Sequence, residues 1–145
     1  MRIRHVAACA ILVLPLCATA ASAQQKSLYQ RLGGYDAIAA VSDEFIARLA
    51  TDEQEKRFFI GFSTDSKLRI RQRLIDLVCK STGGPCVYTG RDMKTAHAGS
   101  GISKADWERT LKIFTEVLDK FQVPDQERKD LAAAIGPLEK DIVEK

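Results

Sequence analysis

Apolar side chains in this chain recur at steps of three and four residues, in four separate stripes. Ile38, Val41, Phe45 and Leu49 form the first, and Leu68, Gln72, Ile75 and Cys79 the second. Trp107, Leu111, Phe114, Leu118 and Phe121 form the third, and Leu131, Ile135, Leu138 and Ile142 the fourth. A helix turning once every 3.6 residues gathers such positions on one face, whereas a half-buried strand needs strict alternation. No strand pattern stands out, so the spacing predicts an all-α fold of four main helices. Ser103-Lys104-Ala105-Asp106 announces the third helix with a capping-box pattern. Pro124 opens the fourth near its first turn. Gly33-Gly34 ends a shorter helical piece around 28–32.

Between the second and third stripes runs a turn-rich stretch, 80–101, holding Gly83-Gly84-Pro85, Gly90, Gly99 and Gly101. It has room for one short helix near 91–98. A connection of that length inside a compact domain is more often functional than idle. The 145 residues suit one domain rather than two. With 46% apolar and 28% charged residues, the chain is neither disordered nor collagen-like.

Residues 1–23 carry the three zones of a secretory signal. Arg2, Arg4 and His5 make a positive start, 6–16 is almost wholly apolar, and Ala21-Ser22-Ala23 has the small-x-small pattern of a signal-peptidase site. The apolar run falls short of the ~20 residues a spanning helix needs. An uncleaved anchor is the alternative. Val6-Ala7-Ala8-Cys9 is a faint lipoprotein-like match, placed before the apolar run is complete. The expectation is a signal peptide, 1–23, and a single domain, 24–145, that is periplasmic or secreted and keeps no stable membrane anchor after cleavage. The net charge of +3 then becomes nearly neutral, because Arg2 and Arg4 leave with the signal.

Cys9 and Cys17 also leave, and Cys79 and Cys86 remain. In an oxidising compartment they could close a small loop around Gly83-Gly84-Pro85. Chain entropy puts such a bridge at roughly 2.5 kcal/mol. Export favours it over two free thiols at a helix end.

His97 is then the one histidine left, inside the irregular stretch. That excludes a His-rich zinc triad, and two cysteines are too few for a Cys-rich zinc site. No Cys-x-x-Cys-His motif attaches a c-type haem, and no Gly-x-Ser-x-Gly elbow supports a hydrolase. A single neutral imidazole facing an apolar pocket does suit haem held by a proximal histidine. Phe45, Phe58, Phe59, Phe62, Trp107 and Phe114 would line that pocket, although the same residues serve equally as plain core.

Several motifs occur together and in order. They are Leu28-Tyr29 through Leu32-Gly33-Gly34, Ala37-Ile38, Phe58-Phe59, Gln72 and Gly83-Gly84-Pro85. Tyr88-Thr89-Gly90-Arg91-Asp92-Met93, Ala96-His97, Ile102, Trp107 and Val123-Pro124 follow. In this set, covering 27–143, the chain resembles the truncated haemoglobins, most closely group I. The resemblance implies a two-over-two helical sandwich around haem b, with His97 as the proximal iron ligand and Phe59 packed on the haem face. It also implies that Leu68 and Gln72 project from the distal helix toward the sixth coordination site. An amide on an otherwise apolar stripe needs a hydrogen bond, which bound dioxygen or water would supply. Arg71, beside that face, could pair with a haem propionate or simply be solvated.

One departure stands out. Group I members commonly carry a tyrosine after a phenylalanine on the second helix, and here Phe45 is followed by Ile46. Gln72 is then the expected distal donor, and bound dioxygen is expected to be held more loosely. Met93 lies one helical turn before His97 and is a poor sixth ligand, so a five-coordinate ferrous state is expected.

Three functions fit these residues. The first is an exported haem b protein that reversibly binds dioxygen or nitric oxide. The second is a nitric-oxide dioxygenase or weak peroxidase at the same haem, fed by an unidentified electron donor. The third is a non-haem helical adaptor that meets an acidic partner through the basic run 67–73. A nearly neutral chain without a recognition motif gives no reason to expect nucleic-acid binding.

Overall fold

The computed structural model describes residues 25–145, so the expected signal 1–23 lies outside the described residues. The helices are α1 (Leu28–Arg31), α2 (Gly34–Thr51), α3 (Thr64–Ser81), α4 (Met93–His97), α5 (Lys104–Lys120), α6 (Asp125–Ile135) and α7 (Glu139–Ile142). Short 3-10 turns occupy Lys56–Phe59 and Gly136–Leu138. Among the described residues no strand forms, as the helical spacing requires.

Local chemistry sets the helix starts. Gly33 and Gly34 both take positive φ, 95° and 79°, which lets the chain turn abruptly from α1 into α2 at no side-chain cost. The capping box at α5 forms as expected: Ser103 N–H donates to Asp106 Oδ2 at 2.9 Å and Asp106 N–H to Ser103 Oγ at 3.3 Å. Asp106 is nevertheless buried, 2% exposed. Burial pushes its carboxyl up, but Ser103, Gln54 and Arg57 outweigh that and hold it well below the usual carboxylate range.

The fourth stripe is not one helix. Gly136 and Pro137 fall inside it, and the chain passes through a 3-10 turn before the short α7. Pro137 lacks the N–H that a continuous helix would use, so the apolar spacing survives while the helix does not. Pro124 is the residue that caps α6 rather than one within its first turn.

α2 is central, packed on α3 along one side and on α5 along another. Ile38, Ile75 and Cys79 are its buried junction with α3, and Tyr29, Val78 and Cys86 close over them. Cys79 and Cys86 form a disulfide, with Cα atoms 5.8 Å apart. The bridge ties the end of α3 to the loop leading toward Tyr88 and α4. Gly84 lies under it, where an added Cβ would stand 2.5 Å from the Tyr29 ring and 2.6 Å from Cys79 Sγ. α1 is held by Tyr29 N–H donating to the Thr82 carbonyl at 2.8 Å and by an ion pair from Arg31 to Glu127 at 2.6 Å.

Candidate functional site

Between α2, α3, α4 and α5 lies a cavity of about 960 Å³. That is near the upper end of the roughly 300–1,000 Å³ of small-molecule and cofactor sites. Val41, Phe45, Ile46 and Leu49 line it from α2, and Ile70, Leu74, Leu77 and Val78 from α3. Phe58 and Phe59 enter from the 3-10 turn, and Trp107, Leu111 and Phe114 from α5. Phe45 and Phe114 meet edge to face, their centroids 5.1 Å apart, which fixes both rings.

His97 reaches this cavity from the last position of α4. The helix is one turn long and starts at Asp92, whose carboxylate accepts from the Thr95 N–H and hydroxyl, both at 2.8 Å. His97 Nδ1 lies 2.8 Å from the Met93 carbonyl oxygen. A carbonyl only accepts, so Nδ1 carries a hydrogen, and in the neutral ring Nε2 then keeps a free lone pair. An imidazole that binds a metal through Nε2 uses that tautomer, with its other nitrogen anchored by a backbone acceptor.

The loop after His97 is clamped from the far end of the chain. Glu144 accepts from Gly99 N–H at 2.6 Å and from Gly101 N–H at 2.5 Å, both glycines having positive φ. In Glu144→Ala, hydrogen exchange at the Gly99 and Gly101 amides should accelerate about 10- to 150-fold, as for one lost bond to a charged group. Unchanged exchange would show that the clamp does not restrain the loop.

A basic edge completes the cavity. Arg69, Arg73 and Arg91 line it together with Tyr88 and Thr89. Arg69 donates to Ser66 Oγ at 3.1 Å, and Arg73 donates to the Thr89 hydroxyl. The Tyr88 hydroxyl donates to the Arg91 carbonyl at 2.8 Å, and its ring lies against Gly90, where a Cβ has no room. The Tyr-Thr-Gly-Arg segment thus folds tightly into one side of the pocket.

Of the residues singled out in the sequence, Phe45, Ile46, Phe59 and His97 meet at the cavity. Leu68, Arg71 and Gln72 do not, and these three assignments are corrected. Leu68 is 58% exposed. Arg71 donates to Asp43 Oδ2 at 2.8 Å on the outer surface. Gln72 Nε2 donates to Tyr35 Oη at 3.0 Å and to Asp76 Oδ1 at 2.8 Å. The amide therefore has its hydrogen bonds outside the pocket. The cause is geometric: at about 100° per residue, positions two apart on α3 face nearly opposite ways. The cavity takes Ile70 and Leu74, and the face carrying Leu68 and Gln72 turns away from it, onto the side where Ile75 and Cys79 pack on α2. Ile70, Leu74 and Leu77 are themselves spaced by four and three, and that second stripe was the available signal. The basic run 67–73 is split in the same way, with Arg69 and Arg73 at the cavity and Arg71 paired with Asp43.

Comparisons with known proteins agree with this geometry. The bacterial-like globin family profile matches residues 27–144. Group 1 truncated hemoglobin GlbN of Mycolicibacterium paratuberculosis is 31% identical over 120 residues, covering 83% of this chain and 86% of the relative. The crystal structure of truncated hemoglobin from Tetrahymena pyriformis in its Fe(III) form superposes with a TM-score of 0.74 at 27% identity, covering 83% of this chain and all of that one. The 2/2 hemoglobin of Synechococcus sp. PCC 7002, solved in the cyanomet state with covalently attached heme, gives 0.74 at 21% identity with 83% and 100% coverage, a likeness of fold. The helices accordingly form the expected two-over-two arrangement.

Proposed function

This chain belongs to the bacterial-like globin family, with the group 1 truncated haemoglobins, and from that premise we propose that it is an exported haem b globin that reversibly binds a diatomic gas, dioxygen or nitric oxide. One observation carries the reading. An imidazole with its Nδ1 hydrogen committed to a backbone carbonyl opens onto a large apolar cavity.

The residues present fit haem. The porphyrin is a flat apolar ring with two carboxylates on one edge, and the cavity has hydrocarbon walls and a basic edge. His97 Nε2 would hold the iron, and Phe45 and Phe59 would bound the ring. Arg69, Arg73 and Arg91 would face the carboxylates, where guanidinium forks match carboxylate geometry. Bound haem supplies an iron atom with an open position for a diatomic ligand. Ile46, Ile70 and Leu74 exclude water there and donate no hydrogen bond. A pocket of that kind favours reversible binding of uncharged gases over strong retention of polar ligands.

Export is supported by the three zones of 1–23 and by the Cys79–Cys86 bridge, since disulfides persist in oxidising compartments. Titrating haem-free protein with haemin tests the function. The expected result is saturation at one haem per chain, with an intense Soret band that shifts when the reduced sample meets carbon monoxide. Protein that stays colourless contradicts it. In fractionated cells, the exported species should lack residues 1–23 and resist thiol alkylation at Cys79 and Cys86.

A further inference from the structure

His97 stands at the end of a helix only five residues long. One helical turn has too few internal bonds to hold itself in place. The entry of α4 is fixed by Asp92, whose carboxylate takes the Thr95 N–H and hydroxyl. The exit, where the imidazole stands, is stopped rather than continued, because Ala98 takes an extended ψ of 129°. Ser100 N–H then turns back and donates to the His97 carbonyl at 3.0 Å. The bond between His97 Nδ1 and the Met93 carbonyl lies within α4. It orients the imidazole on the helix and does nothing to place the helix against the cavity.

The hold on the exit of α4 comes from beyond α7. One oxygen of Glu144 accepts from the Gly99 amide and the other from the Gly101 amide, on either side of Ser100. Glu144 N–H donates to the Ile102 carbonyl at 2.8 Å, and Lys104 N–H donates to the Lys145 carbonyl at 3.0 Å. Together these bonds fix 99–104 to 144–145. Ile102 lines the cavity, as does Ile142 at the end of α7, and α4 itself packs against α7. The grip therefore ties the last turn of α4 to the cavity wall. Glu144 is exposed and does not line the cavity, so whatever it does to His97 passes through the backbone.

We propose that Glu144 is a positioning residue for the iron ligand. Through the turn 99–101 it holds the end of α4, so that His97 Nε2 meets the cavity at one fixed place. Once the clamp is released, Ser100 and the last turn of α4 shift together, and the imidazole no longer meets a seated porphyrin squarely. The role of Nε2 as iron ligand rests on the haem reading, while the hold on His97 does not.

Glu144→Ala and Glu144→Gln proteins, haem-free and haem-loaded, test the proposal against wild type. In haem-free Glu144→Ala, exchange at the Ser100 amide should accelerate about tenfold, the lower end for one lost bond to a charged group. That amide bonds His97 and not Glu144, so it reads the clamp's effect on the helix end. In the loaded ferrous protein the iron–imidazole stretch should shift and broaden. Haem should pass to excess haem-free myoglobin about tenfold faster, as when a group that orients a metal ligand is removed. Glutamine offers one acceptor oxygen in place of two, so Glu144→Gln should fall between wild type and alanine. A stretch and a haem-loss rate equal to wild type in both variants overturn the proposal. So does unchanged exchange at the Ser100 amide. Wild-type protein that takes up no haem overturns the haem reading and the iron-ligand role with it, while faster Ser100 exchange in the haem-free variants still supports the hold on His97.

Discussion

His97→Ala protein is expected to remain colourless under conditions in which the wild type saturates with haem. The described residues hold no second histidine, and the Tyr88 hydroxyl is bonded to the Arg91 carbonyl. Cys79 and Cys86 are joined in a disulfide, and Met93 sits one turn back on the same short helix. Losing a group that merely orients a metal ligand weakens metal binding about 10–100-fold, so losing the ligand itself should cost at least about a hundredfold. Haem-free stability should hardly change, because His97 is half-buried and its one side-chain bond is local. A shift beyond roughly 0.5 kcal/mol in denaturant unfolding would mean that the side chain also supports the fold. Added imidazole should restore part of the Soret band in the variant. An undiminished band without imidazole would remove His97 from the site.

The second large effect lies on the opposite wall. Placing a donor among Ile46, Ile70 and Leu74, by Ile46→Tyr or Leu74→Gln, should slow dioxygen dissociation about 2- to 13-fold, one net hydrogen bond. Gln72→Leu should leave the rate unchanged, because that amide is bonded to Tyr35 and Asp76 outside the cavity. Stopped-flow mixing of the oxygenated protein with carbon monoxide reads all three variants. Faster release from Gln72→Leu would return Gln72 to the pocket and contradict the helix register seen here.

Helical class was legible from residue spacing, because it had a single consistent pattern. The stripe 107–121 has one apolar face, and α5 follows it closely. His97 stood out because the other histidine, His5, lies within the proposed signal 1–23. α3 was ambiguous for a physical reason. It packs on α2 through Ile75 and Cys79 and faces the cavity through Ile70 and Leu74, so it has two apolar faces. A stripe drawn through Leu68 and Gln72 joins the first of these and misses the second. Glu55, buried at the cavity wall, had no signal of its own, since a glutamate among charged neighbours at 52–57 reads as a solvated turn. Its burial depends on this segment folding in against α5, where Gln54 and Arg57 both meet Asp106 across about fifty residues of chain. The arginines at the basic edge were hidden similarly, because a run of alternating basic residues on a helix does not show which members turn inward.

The central claim is that His97 Nε2 binds the iron of a haem seated in this cavity. Resonance Raman spectroscopy of the ferrous protein without added ligand examines that bond itself. A five-coordinate, high-spin spectrum with an iron–imidazole stretch, lost in His97→Ala and recovered with added imidazole, is the expected outcome. A six-coordinate low-spin ferrous spectrum, or an iron–imidazole stretch that survives removal of His97, would contradict it.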